Sequence, residues 1–276
     1  MRAPRLGTRA AVHAFVLLAT AATLYPVLLV LKKAIEPGQE FALSASPVPR
    51  GLTLAHFRDV VGQPHALAYV RNSFVVALAT TAVGVLLSCT AAYALSRFRF
   101  PGRRASLATF LVVQMFPSTL LMLPLYVLLD ALGLLNRLGG LVLVYATTSI
   151  PFCVWTLKGY FDTLPRELEE AARIDGASTL GVFFRIVLPL SRPAIAVTAL
   201  FSFMTAWNEF ILAGTFITDE RGYTLPVLLH HYIGEYHAEW GHFAAAALVT
   251  SVPVMALFYV LQRYLVGGLT AGAVKG

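Results

Sequence analysis

Glu209 places an acid inside an otherwise apolar run, directly after Trp207 and Asn208. An ionisable group at membrane depth marks a functional site by default, because a charge there is costly. Indole faces stack on sugars and amides hydrogen-bond hydroxyls, so Trp207, Asn208 and Glu209 suit a translocation path for a polyhydroxylated solute. The competing reading is a structural hydrogen bond to a neighbouring helix, and the residue types favour neither. Covalent chemistry finds no supporting constellation. The chain has no Gly-Lys dipeptide, hence no P-loop, and neither His-Glu-x-x-His nor Gly-x-Ser-x-Gly. His230, His231, His237 and His242 share one polar segment, but their spacing fixes no three- or four-ligand metal site, and they read as solvated loop residues. Cys89 and Cys153 lie in apolar runs and read as small buried hydrophobes. The expectation is a protein that is not an enzyme and holds no metal.

The elements that position these residues are built for lipid. Of 276 residues, 58% are hydrophobic and 13% are charged, against about 25% charged in a soluble domain. The chain therefore reads as an integral membrane protein. Its net charge of +7 comes from basic residues in short segments beside apolar runs, which is a topology signal and not a nucleic-acid footprint. A spanning helix needs roughly 20 mostly apolar residues. Six stretches qualify: 10–31, 73–95, 106–129, 138–157, 194–218 and 243–261. They are too long and continuous for barrel strands, which alternate in polarity over ~10 residues. The first, Ala10 to Leu31, exceeds the ~7–15-residue apolar core of a signal peptide and ends in Lys32-Lys33 without a small-x-small site, so it reads as an uncleaved span. Pro26, Pro117, Pro124, Pro151 and Pro253 fall in these runs and permit kinks.

Orientation follows from lysine and arginine. With the N-terminus inside, the inner segments collect Arg2, Arg5 and Arg9, then Arg97, Arg99, Arg103 and Arg104, then Lys158, Arg166, Arg173, Arg185 and Arg192. Two of the outer loops carry only Arg137 and Arg221, which outweighs Lys32-Lys33 beside the first span. The prediction is an all-α, polytopic membrane protein with six transmembrane helices and both termini cytoplasmic. It forms a single transmembrane domain, 1–276, with a cytoplasmic loop 158–193, outer loops 32–72 and 219–242, and a cytoplasmic tail 262–276.

The 158–193 loop is hydrophilic and sharply punctuated. Thr163 can cap a helix with Pro165 in its early turn, and Glu167 and Glu169 suit the positive end of that helix. Gly176 is a natural stop, and Ser178 or Thr179 can start a second short helix bearing Leu180, Phe183, Phe184 and Val187. Leu188-Pro189 ends it and Pro193 opens the fifth span. A helix–glycine–helix element at the cytoplasmic face is either an interfacial connector or a dock for a cytosolic partner. The small pair Ala171-Ala172 and the turn at Gly176 lean toward docking.

The wording of this loop carries a resemblance. Glu170, Ala171, Ala172, then Gly176, then Ile186, Leu188 and Pro189 reproduce without departure the spacing of the signature loop of ABC importer permeases. Further words are Arg71-Asn72-Ser73, Ala92-Tyr93-Ala94-Leu95-Ser96-Arg97, Ala206-Trp207-Asn208-Glu209-Phe210 and the glycine-rich ending Gly267 to Gly276. The chain resembles the carbohydrate-uptake permeases of the maltose and glycerol-3-phosphate type, specifically the shorter six-span partner of the pair. The resemblance implies a type I importer permease fold in a bacterial or archaeal cytoplasmic membrane. It implies a second homologous permease, two P-loop ATPase subunits that hold ATP and Mg, and an extracytoplasmic sugar-binding protein. It implies ATPase docking through Glu170, Ala171, Ala172, Asp175, Gly176, Ala177, Ser178, Ile186, Leu188 and Pro189, and a tail contact through Gly272 and Val274. The function implied is ATP-driven import of a sugar, a di- or oligosaccharide. A glycerol-phosphate or polyol importer of the same architecture is the alternative. An ion-coupled secondary carrier would place several ionisable groups inside its spans, and this chain places one.

Overall fold

The computed structural model describes residues 6–40, 45–234 and 238–273, with side chains as far as Arg263. The described residues form helices α1 (Leu6–Ile35), α2 (Ala55–Val61), α3 (Ala66–Arg97), α4 (Arg103–Met115), α5 (Met122–Ala131) and α6 (Leu138–Thr163). They continue as α7 (Glu167–Ile174), α8 (Thr179–Val182), α9 (Leu188–Leu190), α10 (Arg192–Asn208), α11 (Ile211–Phe216), α12 (Leu225–His231) and α13 (Trp240–Ala273). Four helices are long and apolar enough to cross a membrane: residues 7–35, 66–97, 138–163 and 240–263. Two further pairs qualify only as bent units, α4 with the Ser118–Ala131 segment at 95° and Thr179–Leu190 with α10 at 80°.

The bends correct two of the expected continuous runs. The 106–129 stretch breaks at Phe116, whose backbone is extended, because Pro117 disfavours the helical conformation in the residue before it. The 194–218 stretch breaks at Glu209, also extended, between α10 and α11. At its other end Ser191 leaves helical geometry just before Pro193 in the first turn of α10. Pro26, Pro151 and Pro253 sit within α1, α6 and α13. α13 also runs to Ala273, beyond the expected end at 261.

The chain divides into two compact units. The first comprises residues 1–66 and 228–252. Here α1 exposes large apolar side chains such as Phe15 and Leu18 along its length, as a lipid-facing helix does. A polar knot forms around Gln39. Its Oε1 accepts from the Gly241 and His242 backbone N–H groups, at 2.9 and 3.2 Å, and its Nε2 faces His56 Nδ1 at 3.2 Å. His56 Nε2 lies 3.0 Å from the Glu36 carbonyl. His242 stands between Glu239 (2.6 Å) and Asp59 (3.2 Å). The sequence reading of His242 as a solvated loop residue is thus corrected, and buried His56 had no signal beyond its type.

The second unit comprises 67–227 and 253–276. Its centre is the packing of α3, α6 and α10. Gly84 on α3 admits this approach, since a Cβ there would lie 3.1 Å from Ser202 Oγ and 3.2 Å from Ser149 Oγ. Small residues at helix contacts are the usual means of close packing within a membrane. Cys89 and Cys153 are buried and free in this core. Near one end, Asn72 Nδ2 donates to the Arg221 and Tyr223 carbonyls, and Ser73 Oγ accepts from Leu225 N–H. At the other end, Tyr93, Phe161 and Phe183 gather under the 158–193 loop.

Candidate functional site

The 158–193 loop folds as helix, glycine turn, helix. Thr163 is not the cap expected for α7; it is the last residue of α6, and its hydroxyl bonds back to the Tyr160 carbonyl. α7 instead starts at Glu167 after Arg166. It stops where Gly176 adopts a φ of +86°, a left-handed conformation that suits glycine. Among the described residues nothing beyond its chain neighbours lies within 4 Å of a Cβ built at Gly176, so the requirement there is conformational. Ser178 then caps α8, accepting from Gly181 N–H at 3.1 Å. The chain continues through a π-turn, Phe183–Val187, that carries Ile186. Such turns recur at functional sites.

The sequence-predicted docking residues divide into two sets. Glu170, Ala171, Asp175, Gly176, Ser178 and Pro189 are exposed. Ala172, Ala177 and Leu188 pack against the Tyr93–Phe161–Phe183 cluster, and Ile186 is half-buried. Small size at Ala172 and Ala177 therefore serves internal packing. Four exposed apolar side chains, Leu168, Ile174, Leu180 and Phe184, interrupt this charged surface. None of the four is among the expected docking residues, and Ile174 was not singled out at all. The signal for Ile174 was present as an apolar residue in the charged segment Glu167–Asp175. A protruding polar surface studded with apolar side chains is chemically suited to hold another protein.

Behind the surface lies a polar junction. Glu169 lies in the first turn of α7, as expected, and is the one buried residue of that helix. Arg97 at the end of α3 donates through Nε to Glu169 Oε1 at 2.5 Å. Tyr93 O–H donates to Glu169 Oε2 at 3.1 Å. Arg97 also donates through Nη2 to the Leu164 carbonyl and through Nη1 to Ser96 Oγ. Ser96 donates to Asp162, which pairs with Lys158. Arg97 was not singled out by sequence, although it closes one of the family-like words.

At the other candidate site the three residues have separate fates. Trp207 is 1% exposed, stacked on Phe203 at 5.3 Å and edge-on to Phe74 at 5.0 Å. Asn208 is exposed, and its amide bonds the Met204 carbonyl. Glu209 accepts from the N–H groups of Leu212 and Ala213 at 2.9 and 3.1 Å, and from Tyr145 O–H at 2.6 Å. This carboxylate caps α11, so the structural reading of Glu209 accounts for its contacts. Val274 lies outside the described residues, as does His237, and Gly272 is described only as backbone in α13.

Comparison with known proteins gives the geometry a family. Residues 84–270 match the family described as "Binding-protein-dependent transport system inner membrane component". The chain is 39% identical over 256 residues to the galactooligosaccharides transport system permease protein of Bacillus subtilis (strain 168), covering 91% of this chain and 90% of that one. It is 38% identical over 284 residues to the maltose/maltodextrin transport system permease protein of Escherichia coli (strain K12), covering 96% and 95%. A solved bacterial ABC transporter involved in import of the acidic polysaccharide alginate shares the fold, with a TM-score of 0.79 at 22% identity over 96% of this chain and 99% of that one. The chain is thus a multi-pass transport subunit and not an enzyme. Its long apolar helices, its helix–glycine–helix loop and these matches together place it in the family of ABC importer permeases, the inner membrane components of binding-protein-dependent transport systems.

Proposed function

We propose that this chain is one permease of a heteromeric ATP-driven importer that moves a di- or oligosaccharide across a bacterial or archaeal cytoplasmic membrane. Six spans, two of them bent, leave both termini and the α7–α8 element in the cytoplasm. A second homologous permease completes the path. Two ATPase subunits, which hold ATP and Mg, dock on the exposed face around Glu170, Ala171, Asp175, Gly176 and Ser178. An extracytoplasmic binding protein delivers the solute. The observation that carries the sugar assignment is the agreement among relatives named for galactooligosaccharides and maltodextrins. A relative from Agrobacterium fabrum, 37% identical and named for sulfoquinovosyl glycerol, keeps a glycosylated polyol as the second reading.

The exposed α7–α8 surface supports docking because side chains such as Ile174 stay exposed among the described residues. The test is purification of the tagged chain from its native membrane, followed by uptake assays in proteoliposomes with maltooligosaccharides and with glycosylglycerols. A co-purifying P-loop ATPase and uptake that requires ATP are the expected outcomes. A chain that purifies alone and transports under an ion gradient overturns the reading.

A further inference from the structure

The junction of α3, α6 and α7 contains more charge than packing alone requires. α7 has eight residues, and its one buried residue is a glutamate. Replacing a buried ion pair by apolar residues of similar shape is often neutral or stabilising, so its presence is weak evidence of a need for stability. Its distinctive property is direction. A guanidinium presents donors in a rigid plane, and here that plane reaches from α3 both to α7 and to the connection between α6 and α7. Nε meets Glu169 on α7, Nη2 meets Leu164 between α6 and α7, and Nη1 meets Ser96 on α3. Tyr93, four residues before Arg97 and so on the same face of α3, takes the second oxygen of Glu169. Ser96 and Lys158 complete a link through Asp162 on α6. α7 is thereby fixed in angle as well as in position relative to the end of α3. That helix has 32 residues, a rod of about 48 Å at 1.5 Å rise per residue.

We infer that Arg97, Glu169 and Tyr93 are positioning residues that transmit movement of the docking helix α7 into α3 as a rigid unit. The inference rests on the proposed docking of an ATPase subunit on α7–α8. A purely apolar contact there could slide, whereas the fork of Arg97 resists both sliding and rotation. The exposed side of α7 receives the push and its inward side delivers it. The neighbouring Glu170 points outward and takes no part in this link.

The test uses the transporter complex purified from its native membrane, with Mg-nucleotide and vanadate as the only additions. Spin labels are attached at Arg166→Cys, beside α7, and at Leu86→Cys, on the exposed face of α3. Cys89 and Cys153 are buried, which limits background labelling. The 166–86 distance is measured without nucleotide and with ADP and vanadate, in the parent and in Glu169→Gln, and ATP hydrolysis is measured on the same samples. In the parent the distance stays fixed between the two states. In Glu169→Gln it changes with nucleotide by about 2 Å or more, the scale of helix shifts in switching proteins, while the ATPase remains bound and active. A distance as fixed in the variant as in the parent overturns the inference, and so does a distance that already changes in the parent. If Glu169→Gln does not reach the membrane, Arg97→Lys carries the test, because an ammonium lacks the planar fork that joins α3 to α7 and to the connection before it. Absence of both variants from the membrane also overturns the inference, since the pair would then be a folding element. Failure of the parent chain to retain an ATPase is a separate result that counts against the docking itself.

Discussion

Ile174 shows what a single residue must do on this surface. It is 86% exposed at the end of α7, where an isolated chain gains nothing from an apolar side chain. Burying such a side chain against a partner is worth roughly 1.5–3 kcal/mol. Ile174→Asp is therefore expected to weaken ATPase retention by about tenfold or more, while the level of the chain in the membrane stays unchanged. Quantifying the ATPase that co-purifies with each form checks this. Gly241 gives the opposite kind of residue effect. A Cβ there would lie 2.5 Å from His56 Nε2 and 2.9 Å from Gln39 Oε1. The Gln39 amide is held by two backbone N–H groups, so it has little room to yield. Gly241→Ala should cost about 1–3 kcal/mol as overpacking, read as a lower melting temperature in detergent. Legibility at this scale was uneven. Gly176 and Ser178 announced their turn and cap through local backbone chemistry. Gly241 and His56 did not, because their requirement comes from residues far away in the chain.

At the level of elements, hydropathy located the apolar runs but not their breaks. The run 194–218 is continuous in composition, yet Glu209 turns its carboxylate onto α11 and ends α10. An acid in an apolar run signals polar partners without saying whether they are solute or backbone, and that choice is made by the fold. Pro117 was legible as a kink, but the 95° angle depends on packing that no local pattern records. The cap assignment for Glu209 makes a separable prediction. Glu209→Ala leaves the Leu212 and Ala213 N–H groups and the Tyr145 O–H without their acceptor, at a cost of about 1–3 kcal/mol for a buried unmet donor. The melting temperature should fall, and Tyr145→Phe should lower it less, since it removes one of the donors together with its need. A variant that melts like the parent but loses affinity for the transported sugar would instead return Glu209 to the translocation path.

For the whole molecule, the bent pairs turn orientation into a question of parity. α1, α3 and α6 are long enough to cross on their own, whereas α4 and the segment after it cross only if the bent pair acts as one span. Leu52 follows one crossing. Ile174 follows four if the bent pair crosses and three if it does not. The two residues therefore face opposite sides in the first case and the same side in the second. The lysine and arginine distribution favours the first, since Arg97, Arg99, Arg103 and Arg104 share a side with the basic 158–193 loop only if the pair crosses. With the N-terminus inside, docking of a cytosolic ATPase on α7 demands the same parity. Leu52 and Ile174 are 77% and 86% exposed in the chain itself, so in membranes from cells that lack the ATPase partner, cysteines at these positions are accessible to a membrane-impermeant maleimide. Leu52→Cys is expected to react in spheroplasts and to be protected in inverted vesicles, and Ile174→Cys to show the reverse. Reaction of both from one side would mean that the α4–α5 pair is re-entrant, and it would remove α7 from the reach of any cytoplasmic motor or invert the chain around it.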